Sequence, residues 1–306
     1  MISILTGRDD VTRLARLEPV DIATKWLSSL SVEVGENFRQ LNKVEYWQCN
    51  VTGFHWYSPP EAAGGCELYV QLEEFGWYYM SDKWEFSVAL DLLAPVSLIL
   101  EVGVGEGRFL QAARKKEHVV QGVELNPMAA KRARSLGFRV HQLMLHELSE
   151  LTADRFDAIC SFQVLEHVPN PLEFIEGMIG LLRPGGKMIF SVPNAAVMRK
   201  IDPDNQDLLN QPPHHMGHWD EGVFRALENL LPLKVRSVHR EPLASYHVSW
   251  ILNGYLRGLL SPLGNTIPRL LVNRYSTIPL QWLLHAGLRN LLPGHTLLVE
   301  FEYWPD

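Results

Sequence analysis

Cysteine and long apolar runs are both scarce in this sequence. Its 306 residues include three cysteines, Cys49, Cys66 and Cys160, which are too few for a disulfide framework. No apolar run reaches the ~18 residues that are needed to span a bilayer, and no charged and then apolar leader opens the chain. These absences predict a reduced, cytoplasmic protein.

Positive charge is also in short supply. The chain has 28 lysines and arginines against 35 aspartates and glutamates, which gives a formal net charge of −7. A protein with this balance has no overall attraction to phosphate backbones, so a nucleic-acid partner is not expected. The dense basic run at residues 114–116 is interpreted as the solvated face of a helix.

Acidic residues are missing altogether from residues 242–294. This stretch has arginines at positions 257, 269, 274 and 289, and it carries two apolar series at helical spacing. Apolar faces beside arginines suit a helical cap over an active site. They also suit contact with an anionic membrane surface or lipid-linked molecule, or a homodimer interface. The pattern leaves all three roles open.

The chain does contain a nucleotide-binding β-α-β pattern, from Leu98 to Pro127. An apolar strand comes first, and Gly103, Gly105 and Gly107 then predict a tight turn that brings the backbone close to a ligand. A second strand follows the helix and ends at Glu124. A carboxylate at this place can accept hydrogen bonds from the two hydroxyls of a ribose.

Glu101, just before the first glycine, separates the two cofactor classes that such a turn serves. Its carboxylate would attract the cationic amino-acid end of S-adenosylmethionine and repel the pyrophosphate of a dinucleotide. The glycines also lack the spacing of the dinucleotide fingerprint, which disfavours a nicotinamide-dependent oxidoreductase. An acidic residue followed by G-x-G-x-G resembles the first motif of the class I S-adenosylmethionine-dependent methyltransferases.

This resemblance covers residues 84–240 and implies a Rossmann-like α/β fold with a doubly wound, mostly parallel seven-stranded sheet whose last strand is antiparallel. The later strands are expected at Phe138–Leu143, Phe156–Phe162, Lys187–Val192, Leu233–Val238 and His295–Tyr303. The chain is expected to divide into an N-terminal helix and aromatic β-rich module, residues 1–83, and a methyltransferase domain, residues 84–306. Residues 242–294 would form a helical insertion, and the first 17 residues would be poorly ordered.

The resemblance also implies a cofactor-binding set. Glu101 is expected at the amino-acid end of S-adenosylmethionine, and Glu124 at its ribose. Where the family carries an acidic residue for the adenine amino group, this chain has Met144, so backbone groups near Leu145 would serve instead. The predicted set is Glu101, Gly103, Gly105, Gly107, Glu124, Leu125, Met144, Leu145, Phe162 and Gln163.

Histidines are expected on the acceptor side. His167 follows the fourth strand and is a candidate base, since neutral imidazole takes up protons near pH 7; a role in holding the loop is the alternative. His214 and His215 lie in a segment that the resemblance places beside the substrate. They are candidate bases or hydrogen-bond partners, and a packing role is again the alternative. The expected substrate contacts are Tyr79, Lys83 and Trp84.

Metal binding is not expected. Residues 47–54 are similar to a zinc knuckle that precedes some bacterial methyltransferase domains, but Thr52 stands where the second cysteine would be. One thiolate does not hold a structural zinc ion. His214, His215 and His218 have no carboxylate or cysteine at comparable spacing.

These features together predict an S-adenosylmethionine-dependent methyltransferase. Its acceptor would be a small molecule, or a lipid- or sugar-linked one, that offers an oxygen, nitrogen or carbon nucleophile. The alternative is a cofactor-binding regulatory or scaffolding protein that has lost catalysis, and both Met144 and the incomplete knuckle are reasons to consider it.

Overall fold

The computed structural model describes residues 1–76, 78, 83–260, 266–273 and 275–305. These residues form eleven strands, numbered along the chain: β1 (Val11–Leu17), β2 (Val44–Cys49), β3 (His55–Ser58), β4 (Leu98–Val102), β5 (Val119–Val123), β6 (Arg139–His141), β7 (Phe156–Phe162), β8 (Leu182–Pro193), β9 (Gly217–His218), β10 (Leu233–Pro242) and β11 (Pro293–Tyr303). The α-helices are α1 (Pro19–Leu30), α2 (Gly35–Phe38), α3 (Cys66–Glu73), α4 (Trp84–Leu92), α5 (Arg108–Lys115), α6 (Pro127–Ser135), α7 (Leu145–Leu151), α8 (Pro171–Leu181), α9 (Ala195–Ile201), α10 (Glu221–Ala226), α11 (Val248–Leu260), α12 (Thr266–Leu271) and α13 (Ile278–His285).

The larger sheet has seven strands in the order β10-β11-β8-β7-β4-β5-β6. Strands β4 to β8 run parallel, and β11 runs antiparallel to both β8 and β10. Neighbouring residues of β4 pack on opposite faces: Leu100 lies with Ile175 of α8, whereas Ile99 lies with Phe109 of α5. Helices therefore cover both faces, and the predicted doubly wound fold is confirmed.

The predicted bounds of β7 agree with the structure, while β10 extends to Pro242 and β11 begins at Pro293, beyond their predicted ends. Strands β6 and β8 differ more. Strand β6 has only three residues, fewer than the six predicted, because it is the outermost strand and pairs with β5 alone. Strand β8 begins at Leu182, before its predicted start at Lys187, and includes residues 183–186. Residues 183–186 form a bulge without partners in β7. The pairing of β8 with β7 therefore jumps from Leu182 to Lys187.

The smaller sheet is antiparallel and has the order β1-β2-β3-β9. The prediction that the first 17 residues are poorly ordered is wrong, since residues 11–17 form the edge strand β1. Five successive residues of this strand are exposed, so its sequence shows no alternation of apolar and polar positions. The predicted helix after it is confirmed as α1, whose residues Ile22 and Trp26 are buried.

Strand β9 connects the two parts of the chain. Gly217 and His218 pair with Trp56 and His55 of β3, although they follow β8 of the larger sheet. The fourth strand of the N-terminal sheet is therefore supplied from within residues 84–306, and the division of the chain at residue 83 stays a prediction.

The insertion between β10 and β11 is helical, as predicted. Helix α11 packs on α9, where Ile251 joins Val197 and Met198 in one apolar cluster. The two helices approach closely, since a Cβ atom on Gly254 would lie 2.5 Å from Cβ of Ile201. No helix among the described residues is both long and apolar enough to cross a membrane.

Two arginines of the insertion bind backbone carbonyl groups within it. The Arg257 guanidinium donates to Val272 O at 3.0 Å and 3.2 Å, and Arg289 Nη1 donates to Leu243 O at 3.0 Å. These two guanidinium groups therefore tie the segment together. Arg274 and the side chain of Arg269 lie outside the described residues.

Candidate active site

One cavity of ≈ 980 Å³ lies at the carboxyl ends of the parallel strands. The glycine turn after β4 lines it, together with Glu124 at the end of β5 and the segment that follows β7. This edge is where ligands bind in open α/β sheets. The cavity also extends to His214 and His215, so it joins the two groups of residues that the sequence assigned to cofactor and acceptor.

The glycine turn has the backbone shape that its sequence predicts. Gly103, Gly105 and Gly107 have φ values of +82°, +52° and +75°, which other residues adopt only with strain. Gly103 also has no room for a side chain, because its Cβ would lie 2.4 Å from Cγ2 of Val164. The turn therefore presents bare backbone to the cavity.

Glu124 fastens this turn to the end of β5. Its Oε2 accepts a hydrogen bond from Gly105 N–H and its Oε1 accepts one from Asn126 N–H, each at 2.8 Å. Burial raises the pKa of the Glu124 carboxyl, while these two backbone donors oppose the rise. Carboxylate oxygens have several lone pairs, so the oxygens remain able to accept the hydroxyls of a ribose.

Glu101 is a buried acid of the site with one unpartnered oxygen. Its side chain is 2% exposed, and its Oε2 has no hydrogen-bond partner. Burial raises the pKa of the Glu101 carboxyl well above its usual range, although the positive charge of Lys83 opposes the shift. A buried carboxyl group with one unpartnered oxygen matches a cationic ligand, so the site fits the ammonium group of S-adenosylmethionine.

The other predicted cofactor residues lie around the same cavity in different ways. Leu125 and Met144 are each 49% exposed and offer apolar surface to a flat ring. The Leu145 side chain instead belongs to the core, so only its backbone is available. Phe162 packs on Phe109 with 4.7 Å between ring centroids. Gln163 has φ +56° and donates its N–H to Ser191 O at 2.8 Å.

His167, His214 and His215 form a compact group at the other end of the cavity, which we call the histidine cluster. Their ring centroids are 4.5 to 5.0 Å apart. Burial lowers the pKa of His167 to about 4 and lowers the pKa values of His214 and His215 well below the usual range. All three rings are therefore neutral at pH 7.

The third histidine of the 214–218 run points elsewhere. The Tyr46 hydroxyl lies 2.6 Å from Nδ1 of His218, and Nε2 of the same ring donates to Asn210 O at 2.9 Å. His167 takes its place in the cluster, because its Nδ1 donates to His214 O at 2.6 Å. Linear spacing had grouped His218 with His214 and His215, but the fold brings His167 there instead.

Of the predicted substrate contacts, Lys83 and Trp84 line the cavity, and Tyr79 lies outside the described residues. Three buried carboxyl groups at the cavity were missed: Glu85, Glu166 and Glu241. Glu85 could have been found, because it is an acidic residue within the otherwise apolar start of α4. Glu241 is the last residue but one of β10 and gives no such signal.

Residues 72–241, more than half of the chain, match the family described as "Methyltransferase domain". The ubiquinone biosynthesis O-methyltransferase of Alkalilimnicola ehrlichii is 33% identical over 102 residues, which are 31% of this chain and 41% of that protein. The Coxiella burnetii protein of the same name is 34% identical over 101 residues, which are 31% and 43%. The chain thus spans about two fifths of the length of these curated relatives.

Solved structures with a similar fold include a methyltransferase from Mesorhizobium loti, with 18% identity and a TM-score of 0.47 over 73% of this chain and 100% of that one. A methyltransferase from Archaeoglobus fulgidus has 15% identity and a TM-score of 0.47 over 76% of this chain and 99% of that one.

Proposed function

This chain belongs to the methyltransferase-domain family, as a class I S-adenosylmethionine-dependent methyltransferase, and we propose on this premise that it methylates a small-molecule or lipid-linked acceptor. The observation that carries the proposal is the unpaired, buried Oε2 of Glu101 beside the glycine turn. The acceptor would lie between the histidine cluster and the insertion. The names of the relatives support an oxygen nucleophile.

The residues at one end of the cavity would bind the cofactor, and those at the other end would position the acceptor. Glu101 would hold the ammonium group of the cofactor and Glu124 its ribose, while Gly103 lets the backbone approach. The bound cofactor supplies a methyl group that its sulfonium already activates. The protein's own contribution is to fix the acceptor in line with that group and to exclude water.

The histidine cluster would orient the acceptor more than deprotonate it. Each ring donates its Nδ1–H to an oxygen atom, so in the neutral ring Nε2 carries the lone pair. Such a nitrogen accepts a hydrogen bond from a hydroxyl or amine. A pKa of about 4 makes His167 a poor general base at pH 7, because efficient bases have pKa values near the working pH.

The cofactor assignment is tested by replacing Glu124 with alanine. We expect the affinity for S-adenosylhomocysteine to fall by about 2 to 3 kcal/mol, since a charge-assisted double acceptor is lost. Isothermal titration calorimetry measures the change. Glu124→Gln keeps one acceptor oxygen, so its affinity should lie between those of the wild type and the alanine variant. Glu150→Ala removes an exposed carboxylate and should leave the affinity unchanged.

An unchanged affinity in Glu124→Ala would contradict the placement of the ribose. Titration of the wild type with NAD separates the cofactor classes, and we expect no binding.

Transfer of a labelled methyl group from S-adenosylmethionine to acceptors in an extract then tests catalysis itself. Binding without any transfer would favour the regulatory or scaffolding alternative.

The insertion is proposed to close the acceptor end of the cavity. Tyr246, His247 and Trp250 line the cavity, and all three lie at or near the start of α11. Trimming residues 245–290 to a short turn should therefore abolish methyl transfer while the affinity for S-adenosylhomocysteine changes little, because the cofactor residues lie on other strands.

Two single substitutions make the same test with less disturbance. Trp250→Ala should lower methyl transfer and leave cofactor affinity unchanged. Trp282, which is 76% exposed in α13, does not line the cavity, so Trp282→Ala should preserve transfer. If the insertion instead binds a membrane or a second copy of the chain, Trp282→Ala should weaken liposome binding or change the mass in light scattering. Retained transfer in the trimmed protein would reject the cap.

A further inference from the structure

The histidine cluster has the donor geometry of a metal site. His167, His214 and His215 each offer one ring nitrogen, and these three nitrogens lie within 4.8 Å of one another. Zinc-bound nitrogens lie about 2.0 to 2.1 Å from the ion, so the three rings need to close by only about an ångström to share one. Two of the ligands are adjacent in the chain and the third comes from the segment after β7.

Nδ1 of each ring is fixed by an oxygen atom, so Nε2 is the nitrogen that each ring would offer to an ion. Nδ1 of His167 donates to His214 O at 2.6 Å, and Nδ1 of His214 donates to Leu209 O at 2.8 Å. Nδ1 of His215 lies 3.1 Å from Asn210 Oδ1, whose amide is oriented by its own donation to Asn205. Metal-binding histidines are held in this way, because the outer hydrogen bond fixes the ring and leaves Nε2 unprotonated.

Glu166 provides a second, independent indication that a cation binds at the histidine cluster. Its side chain is 2% exposed, and its Oε2 has no hydrogen-bond partner. Its Oε1 lies 3.9 Å from Nε2 of His167. Leaving a buried carboxyl oxygen without a partner costs free energy, and a cation at the histidine cluster would remove that cost.

The ligands are also arranged before any ion arrives. Glu166 O accepts a hydrogen bond from Met216 N–H at 2.7 Å, and this bond runs beside the one from His167 to His214 O. The two ligand-bearing segments are therefore joined by one backbone hydrogen bond and by one hydrogen bond from a side chain to the backbone.

We propose that His167, His214 and His215, with Glu166 as a fourth ligand, bind one divalent transition-metal ion at the acceptor end of the cavity. Three imidazoles and one carboxylate suit Zn²⁺, Co²⁺, Fe²⁺ or Ni²⁺, whereas Mg²⁺ and Ca²⁺ prefer sites made of oxygen atoms alone. The expectation of no metal came from linear spacing, which did not include His167 or Glu166.

One contact would have to change on binding. The Tyr78 hydroxyl lies 3.0 Å from Nε2 of His214, so the ion would replace this hydrogen bond. The consequence for catalysis rests on the proposed function: an ion here would bind the acceptor oxygen and lower its pKa, which supplies the nucleophile that a histidine of low pKa does not.

The test is a titration of the untagged full chain, freed of metal by a chelator, with Co²⁺. We expect the visible absorption of cobalt bound to nitrogen ligands to saturate at one equivalent and to be abolished by Zn²⁺. His215→Gln and His167→Gln should each weaken Co²⁺ binding by about 100-fold or more, since even outer-sphere substitutions cost 10- to 100-fold.

His218→Gln is the matched control, because His218 is equally buried in the same segment but bonds through both nitrogens. It should keep Co²⁺ affinity within about threefold. Calorimetry verifies that each variant still binds S-adenosylhomocysteine and is therefore folded at the cofactor end of the cavity. Absence of a saturating cobalt signal, or equal losses in His215→Gln and His218→Gln, would overturn the site. If the protein binds the cofactor analogue but not cobalt, the metal site is rejected and the proposed function is unaffected. If it binds cobalt but not the cofactor analogue, the proposed function is rejected and the metal site is retained.

Discussion

Replacing Glu101 with glutamine should lower the affinity for S-adenosylhomocysteine about 100-fold and, at the same time, stabilise the ligand-free protein. In the proposed complex the carboxylate would pair with the ammonium group of the ligand, and removing one partner of such a buried pair costs about 3 kcal/mol. Without ligand, the carboxyl has an unpaired oxygen and a pKa raised well above its usual range. An amide avoids the proton uptake that this raised pKa imposes on folding.

The sign of the stability gain depends on pH in a defined way. An acid whose pKa is raised by folding destabilises the protein increasingly as pH rises from its unfolded pKa towards its folded pKa. The advantage of Glu101→Gln should therefore grow upward from about pH 4.5 and vanish below it. Urea unfolding at several pH values measures this. Calorimetry of the wild type in buffers with different ionisation enthalpies should also show a proton released when the ligand binds.

Glu300→Gln provides the control. Glu300 is a buried acid on β11, three strands away from β4 in the same sheet, and its Oε1 accepts a hydrogen bond from Lys187 Nζ at 2.7 Å. Its loss should lower stability and leave the affinity for S-adenosylhomocysteine unchanged. If both glutamate variants change stability in the same direction, the unpaired state of Glu101 is contradicted.

Gly103→Ala should lower the free energy of unfolding by about 3 kcal/mol and remove measurable cofactor binding. About 1 to 2 kcal/mol comes from the left-handed backbone, since φ is +82°. A similar amount comes from overpacking, because the new methyl would meet Val164 Cγ2 at 2.4 Å. Urea unfolding and calorimetry give the two values.

Gly185→Ala separates these two causes. Gly185 has φ +74° but no atom within 4 Å of the position of a Cβ, so only the backbone cost of about 1 to 2 kcal/mol applies. Adding Val164→Ala to Gly103→Ala should recover part of the lost stability. Equal losses of unfolding free energy in Gly103→Ala and Gly185→Ala would show that the contact with Val164 does not contribute to the destabilisation.

The parts of the fold that sequence predicted are those that local pattern determines. The run from β4 through Glu124 was placed correctly because apolar strands, positive φ glycines and a terminal carboxylate are adjacent in the chain. Helix α6 is another such case: Asn126 caps it by accepting hydrogen bonds from Met128 N–H and Ala129 N–H, and Pro127 occupies its first position.

The parts that were missed depend on residues far apart in the chain. His167 and His214 meet only because the segment after β7 lies against the segment before β9. The arginines of the insertion were interpreted as charges available to a partner, whereas Arg257 and Arg289 bind carbonyl oxygens. Neither contact leaves a periodic trace in the sequence, because both are decided by tertiary packing.

Strand β9 also determines the order in which the molecule can be completed during synthesis. His55 and its partner His218 are separated by more than half of the chain, so β3 leaves the ribosome long before its neighbour exists. Until then the N-terminal sheet has an unpaired edge, which is a template for wrong pairing. The two residues that close this edge follow directly on the segment that holds His214 and His215. Pairing of β3 with β9 and assembly of the histidine cluster therefore both wait for residues 214–218, and a nascent chain halted before residue 214 would have neither.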